Sequence, residues 1–270
     1  MGLSVIEEIL DIGGRLDLLV TLEDHLASKK SGRVYLDKVS AEHGVPLRKV
    51  SHINDDNSIQ AIAEAELDWL FIVGWSQIAG PRVLEAPKEG VLGMHPTLLP
   101  VGRGRAAVPW AILKGLESTG VTLFKLDEGV DTGPVLAQEV IELDPGETAS
   151  TLYTKVEAAH VVLVRRVWPD LLTGDLRPQP QDESMATVWP GRSPEDGAIN
   201  ATDMTVAEVD RLVRAVTAPY PGAFAEYADG TRVRVWRGRP GPACGEGIEF
   251  RMKDGLYTAL EVETEAGAQS

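Results

Sequence analysis

Cysteine is almost missing from this sequence: Cys244 is the single one in 270 residues. One thiol excludes an intrachain disulfide and a cysteine metal cluster. It fits a reducing compartment, and a cytoplasmic location is expected. Positive charge is scarce too, with 26 Lys and Arg against 41 Asp and Glu and a formal net charge of −15. That balance argues against general affinity for nucleic acid or an anionic membrane, because both need a basic surface. No apolar run approaches the length that spans a bilayer, so no membrane association is expected. The opening Met1-Gly2-Leu3-Ser4-Val5-Ile6-Glu7-Glu8 has no basic region and no long apolar core, so no signal peptide is expected. Nor does it carry an acylation signal, since Ile6 stands where Ser or Thr is needed. No two histidines share ligand spacing with a carboxylate, and no metal site is expected.

What is present is enough for one large domain, or a medium one with a small one behind it. Apolar residues make up 43%, normal for a chain with a buried core. Helical periodicity is read at 4–13, 34–43 and 55–66, and strands at 16–20 and 69–73. Residues 24–34 read as a polar surface loop. The run Trp69-Leu70-Phe71-Ile72-Val73 is continuously apolar, as in strands covered on both faces. Alternating helices and strands point to an open α/β sheet. A helix is expected over 106–114, strands over 120–126 and 134–141, and a long amphipathic helix over 148–172 in which Pro169 bends or interrupts the run. Residues 178–199 are rich in Pro, Gly, Gln and Asp and read as a linker between a domain at 1–177 and a small β-rich one at 200–270. In the latter, Asp229-Gly230 and Asp254-Gly255 supply hairpin turns.

Two loops carry the candidate chemistry. In Gly93-Met94-His95-Pro96-Thr97-Leu98-Leu99-Pro100, Pro96 fixes its own φ and biases His95 toward an extended backbone. A histidine held in place is suited to proton transfer near neutral pH. The second loop is Glu128-Gly129-Val130-Asp131-Thr132-Gly133. Both loops follow apolar strands, and in a parallel sheet such loops can meet at one crevice beyond the strand ends. A carboxylate beside an imidazole favours the imidazolium. Arg103 and Arg105 add positive charge that could hold an anionic substrate. The stretch Gly74-Trp75-Ser76-Gln77-Ile78-Ala79 follows a strand directly and is a candidate binding loop by position.

The run HPTLLPVGRGRAAVPWAILKG, with TGVTLFKLDEGVDTGPVLAQ after it, resembles the folate-dependent formyltransferases, over roughly residues 70 to 225. GRSPEDGAIN and VRAVTAPYPGAF resemble the linker and second-domain start of the methionyl-tRNA and sugar-nucleotide branches. The resemblance implies a Rossmann-like open sheet, its first strand either missing here or lost with a truncated start, with a small barrel-like C-terminal domain. It implies 10-formyltetrahydrofolate as co-substrate, attack of an amine on the formyl carbon, and a tetrahedral intermediate. On that pattern His95 and Asp131 are the catalytic pair, with Asp131 raising the imidazole's pKa. Folate contacts are implied for Gln77, Ile78 and Ala79, for Arg105, and for Asp127, Glu128, Gly129 and Val130, largely through backbone groups.

One departure bears on catalysis. The family's asparagine, two residues before the histidine, is Gly93 here. Loss of one such oxyanion donor costs on the order of 10²–10³ in rate. A backbone N–H, Gln77 or a water then has to stand in. The acidic balance disfavours a transfer-RNA acceptor. The preferred acceptor is a small primary amine, an amino sugar carried on a nucleotide. Hydroxyornithine of siderophore synthesis, methionyl-tRNA and a non-catalytic folate-binding homologue are the alternatives. Homo-oligomerisation is left open.

Overall fold

The first elements of the chain bury their apolar residues around small parallel pairs of strands. The computed structural model describes residues 1–29 and 34–265. Helix α1 (Gly2–Asp11) precedes β1 (Leu19–Leu22), α2 (Asp37–His43) and β2 (Leu47–Val50), and β1 pairs with β2 in parallel. Leu19, Val39 and Val45 close one small core here, with Leu3, Ile6 and Leu10 of α1 packed on it. Residues 24–29 form a 3-10 helix instead of the expected loop, and 30–33 lie outside the described residues.

Helix α3 (Asp56–Glu64), β3 (Trp69–Ile72), α4 (Pro81–Leu84) and β4 (Gly90–His95) follow. Next come β5 (Arg103–Gly104), α5 (Ala107–Leu113), β6 (Ser118–Lys125), β7 (Val135–Glu142) and the long α6 (Ala149–Thr173). The central sheet has the order β3-β4-β6-β7. β3 and β4 are parallel, but β4 and β6 run antiparallel, with His95 opposite Thr122 and Gly93 opposite Phe124. The fold is thus an α/β open sheet of mixed direction. A continuous apolar run reports burial on both faces, not strand direction, which is why the sequence suggests an all-parallel sheet. Leu92, Val121 and Leu123 are wholly buried in it.

α6 runs unbroken through Pro169, contrary to the expected interruption. Pro169 stands four residues before the last residue of the helix, and its missing N–H removes one intrahelical bond without ending the helix. His160 lies fully buried on α6, its Nδ1 2.7 Å from the Val156 carbonyl. Burial pushes its pKa down to about 4, so it is held neutral.

The chain divides into two units: Met1–Gly104, Gly120–Ile141 and Val156–Val188 form one, and Arg105–Thr119, Glu142–Lys155 and Trp189–Ser270 the other. β8 (Val188–Trp189) pairs with β5. The second unit contains α7 (Val206–Val216), capped by Thr205, whose side chain and that of Glu208 satisfy each other's backbone N–H groups. Behind it lie β9 (Ala223–Glu226), β10 (Arg232–Pro240), β11 (Ile248–Met252) and β12 (Gly255–Glu265), in the order β11-β12-β10-β9. Register shifts between Val235 and Gly238 mark bulges in the pairing of β10 with β12. Bulges raise local twist, and the antiparallel sheet curls into a half-barrel. No helix among the described residues is long and apolar enough to cross a membrane.

Candidate active site

β4 is buried along its whole length, and its last residue is His95. The histidine is therefore fixed by a core strand, not by the proline loop that follows. Its side chain is 11% exposed. Nε2 lies 2.8 Å from the Gly102 carbonyl, and Nδ1 lies 3.5 Å from Asp131 Oδ2. Both acceptors can be served at once only by the doubly protonated ring. The first contact is a normal hydrogen bond, whereas the second is long, so the Nδ1 edge is the loosely held one.

The loop after His95 is pinned from the sheet. Thr122 donates to the Thr97 carbonyl and accepts the Leu99 N–H, and the Gln138 amide donates to both the Leu99 carbonyl and Thr122 Oγ1. A second clamp closes the Asp131 loop, where the Lys125 N–H donates 2.9 Å to the Pro134 carbonyl. Gly133 has no room for a side chain, since a Cβ there would stand 1.8 Å from the Lys125 carbonyl oxygen. Asp127 Oδ1 accepts from the Gly129 N–H and the Thr132 hydroxyl, folding the loop's tip. Asp131 has φ +55°, a left-handed conformation that aspartate tolerates better than most residues. Its Oδ2 accepts the Gly104 N–H at 2.8 Å. The two loops thus meet although β4 and β6 are antiparallel, because the loop folds back on the end of β6 and Asp131 reaches the 102–104 segment.

Of the residues singled out in the sequence, His95 and Asp131 are brought together. Gln77 is engaged elsewhere: its Oε1 accepts the Ile53 N–H and its Nε2 donates to the Ser51 carbonyl. Its amide fastens two loops and is not a stand-in for the asparagine. Ile78 is 69% exposed, while Ala79 and Trp75 pack on the cluster of Ile62 and Val83. Glu128, Gly129 and Val130 are exposed at the loop tip. Arg105 begins a stretch of the second unit, its N–H donating to the Trp189 carbonyl.

Arg103 is not the open substrate cation expected from the sequence. It is 5% exposed and forked onto the Glu183 carboxylate through Nη1 and Nη2, at 2.9 and 2.7 Å. The hydrogen bonds to Glu183 raise the guanidinium's pKa, and the same pairing lowers that of the Glu183 carboxyl. Its Nε and Nη2 also donate to Gln181 Oε1. Thr187 accepts the Gly102 N–H on its side chain. Gln181, Glu183 and Thr187 lie in the stretch read as a linker, and their polar composition gave no signal of a partner some 50 to 85 residues away.

Gly93 shares a strand face with His95, two residues on. A Cβ at 93 would meet Leu126 Cδ2 at 2.6 Å and Phe124 Cε1 at 3.3 Å. The Leu126 side chain occupies the room that an asparagine would take.

The chain matches the family described as formyl transferase over residues 23–167, and the formyl transferase C-terminal domain over 192–265. Among solved structures it resembles HypX from Aquifex aeolicus in complex with tetrahydrofolic acid, with a TM-score of 0.69 and 20% identity over 91% of this chain and 44% of that one. The chain thus spans less than half the length of the HypX protein it matches. It also resembles methionyl-tRNA formyltransferase from Clostridium thermocellum, with a TM-score of 0.63 and 20% identity over 94% of this chain and all of that one. A third is an N-formyltransferase from Helicobacter canadensis in complex with folinic acid and dTDP-3-aminofucose, with a TM-score of 0.67 and 16% identity over 96% and 94% of the two chains.

Proposed function

Because the chain belongs to the formyl transferase family, we propose that it transfers the formyl group of 10-formyltetrahydrofolate to a small primary amine, an amino sugar carried on a nucleotide. The observation that carries this reading is the pair of buried His95 and half-buried Asp131 at 3.5 Å. The folate supplies the activated formyl carbon. His95 Nδ1, loosely held beside Asp131, is the group that presents a proton to the departing folate nitrogen. The Gly102 carbonyl holds the other ring nitrogen and so fixes which edge faces the reaction. Asp131, beside that same Nδ1, stabilises the imidazolium and is anchored in turn by the Gly104 N–H. Contacts of this kind are commonly long without ligand and tighten in the reacting complex.

The residues present fit a folate. Two apolar side chains, Ile78 at 69% and Val130 at 52%, stand exposed in the two loops assigned to it, a costly arrangement for free loops and a suitable one against a flat heterocycle. The preference for a sugar nucleotide rests on the net charge of −15 and on the likeness to a structure with dTDP-3-aminofucose bound. Methionyl-tRNA, a large polyanion, suits that charge least.

A second reading, a folate-binding homologue without transfer, is favoured by one observation: Leu126 fills the room of the missing asparagine. A panel of amines incubated with 10-formyltetrahydrofolate and read by mass spectrometry decides between the two. Formylated amino sugar supports the first. Tight folate binding with no formylated product from any amine supports the second.

A further inference from the structure

Asp131 is held at both its backbone and its carboxylate. Its backbone is left-handed, and its carboxylate is drawn toward His95 on one side and the Gly104 N–H on the other. Its backbone carbonyl is bonded by Gln181. The Gln181 Nε2 donates to the Asp131 carbonyl at 2.8 Å and to the Gly133 carbonyl at 2.7 Å. Its Oε1 takes two N–H groups of Arg103, at 3.1 and 2.8 Å. Arg103 is the residue before Gly104, which binds the Asp131 carboxylate.

We propose that Gln181 is the positioning residue that holds Asp131 against His95. This rests on the reading of that pair as the transfer centre. The amide is required, not merely a polar group. Two carbonyls call for a double donor, and the guanidinium calls for an acceptor, and only an amide supplies both from one side chain. A glutamate keeps the acceptor and sets an oxygen against two carbonyl oxygens. A leucine loses both ends. Replacing the amide frees the left-handed Asp131 backbone to relax, and the carboxylate leaves its place between His95 and Gly104. A misplacement of this size costs up to about 100-fold in rate.

The test uses the full chain and four variants: Gln181→Glu, Gln181→Leu, Asp131→Asn and the double variant Asp131→Asn with Gln181→Leu. Turnover is measured with the amine that the panel identifies, and the Gly104 amide is followed by NMR and hydrogen exchange. The expected result is a fall in kcat of about 10- to 100-fold for both Gln181 variants, with KM for the amine little changed. In the Asp131→Asn background, Gln181→Leu should cost less than about threefold more, because the carboxylate it positions is already gone. The Gly104 amide should lose protection in Gln181→Leu, and that measurement needs no substrate. Equal losses from Gln181→Leu in both backgrounds, or an unchanged Gly104 amide, overturn the proposal. If instead Asp131→Asn turns over like the parent protein, the transfer-centre reading fails, and the Gly104 measurement still judges the clasp.

Discussion

Gly93→Asn tests what the absent side chain costs. Position 93 faces the same way as His95, so an amide there would point along the face that carries the imidazole. Against it stands Leu126 Cδ2, 2.6 Å from the new Cβ where ordinary contact begins at 3.4 Å. The obstacle is the tip of a flexible, half-buried side chain, which must yield by nearly an ångström. Overpacking of that kind costs about 1–3 kcal/mol. An added oxyanion donor is worth about 10²–10³ in rate, or roughly 3–4 kcal/mol of transition-state stabilisation. The two effects fall on different observables. Gly93→Asn alone should lower Tm by roughly 2–12 °C, given about 2–4 °C per kcal/mol at this chain length. The double change Gly93→Asn with Leu126→Ala makes room, and should recover most of that Tm while raising kcat for formyl transfer by about 10²-fold. Calorimetry and a steady-state formylation assay are the measurements. A double variant with recovered Tm and no gain in kcat would refute the reasoning, since the missing donor would then not limit the rate.

His95→Ala and Asp131→Ala should each reduce turnover by roughly 10²–10⁴, with far-UV circular dichroism unchanged. Gly133→Ala drives a Cβ into backbone at 1.8 Å and should cost about 3 kcal/mol or more, seen as a lower Tm, while Gly146→Ala, with nothing within 4 Å, should be silent. His160 is neutral when folded, with its pKa near 4, and takes up a proton readily when unfolded. The unfolded chain binds more protons, so stability falls as pH drops from about 6.5 toward 4, by up to about 3 kcal/mol. In thermal melts at pH 7.5 and 5, His160→Leu should show a smaller drop than the parent, and an equal drop would exclude His160 as the cause.

The meeting of His95 and Asp131 was readable in the sequence because both residues sit in short punctuated segments, HPTLLP and DEGVDTG, whose glycines and prolines mark fixed backbone. The long helix and the C-terminal strands were readable from periodicity, and α6 begins within a residue of its expected start. Strand direction between β4 and β6 was not, since Val91-Leu92 and Val121-Thr122-Leu123 look alike in either sense. The role of Arg103 was hidden as well. An arginine between two glycines looks solvated, and only the fold delivers Glu183 and Gln181 to it. Gln181 itself lies among Pro178, Pro180 and Asp182, a composition that speaks of a spacer. Its partners are set by tertiary placement, about which local pattern is silent.

Gly93 on β4 and Leu126 just past the end of β6 share one parcel of volume, and neither can change size without the other answering. Substitutions at these positions should therefore travel as a small-for-large exchange. A search template demanding an amide two places before the histidine would pass over chains of this kind, whereas one asking for glycine there and a bulky aliphatic just past the antiparallel neighbour of that strand would gather them.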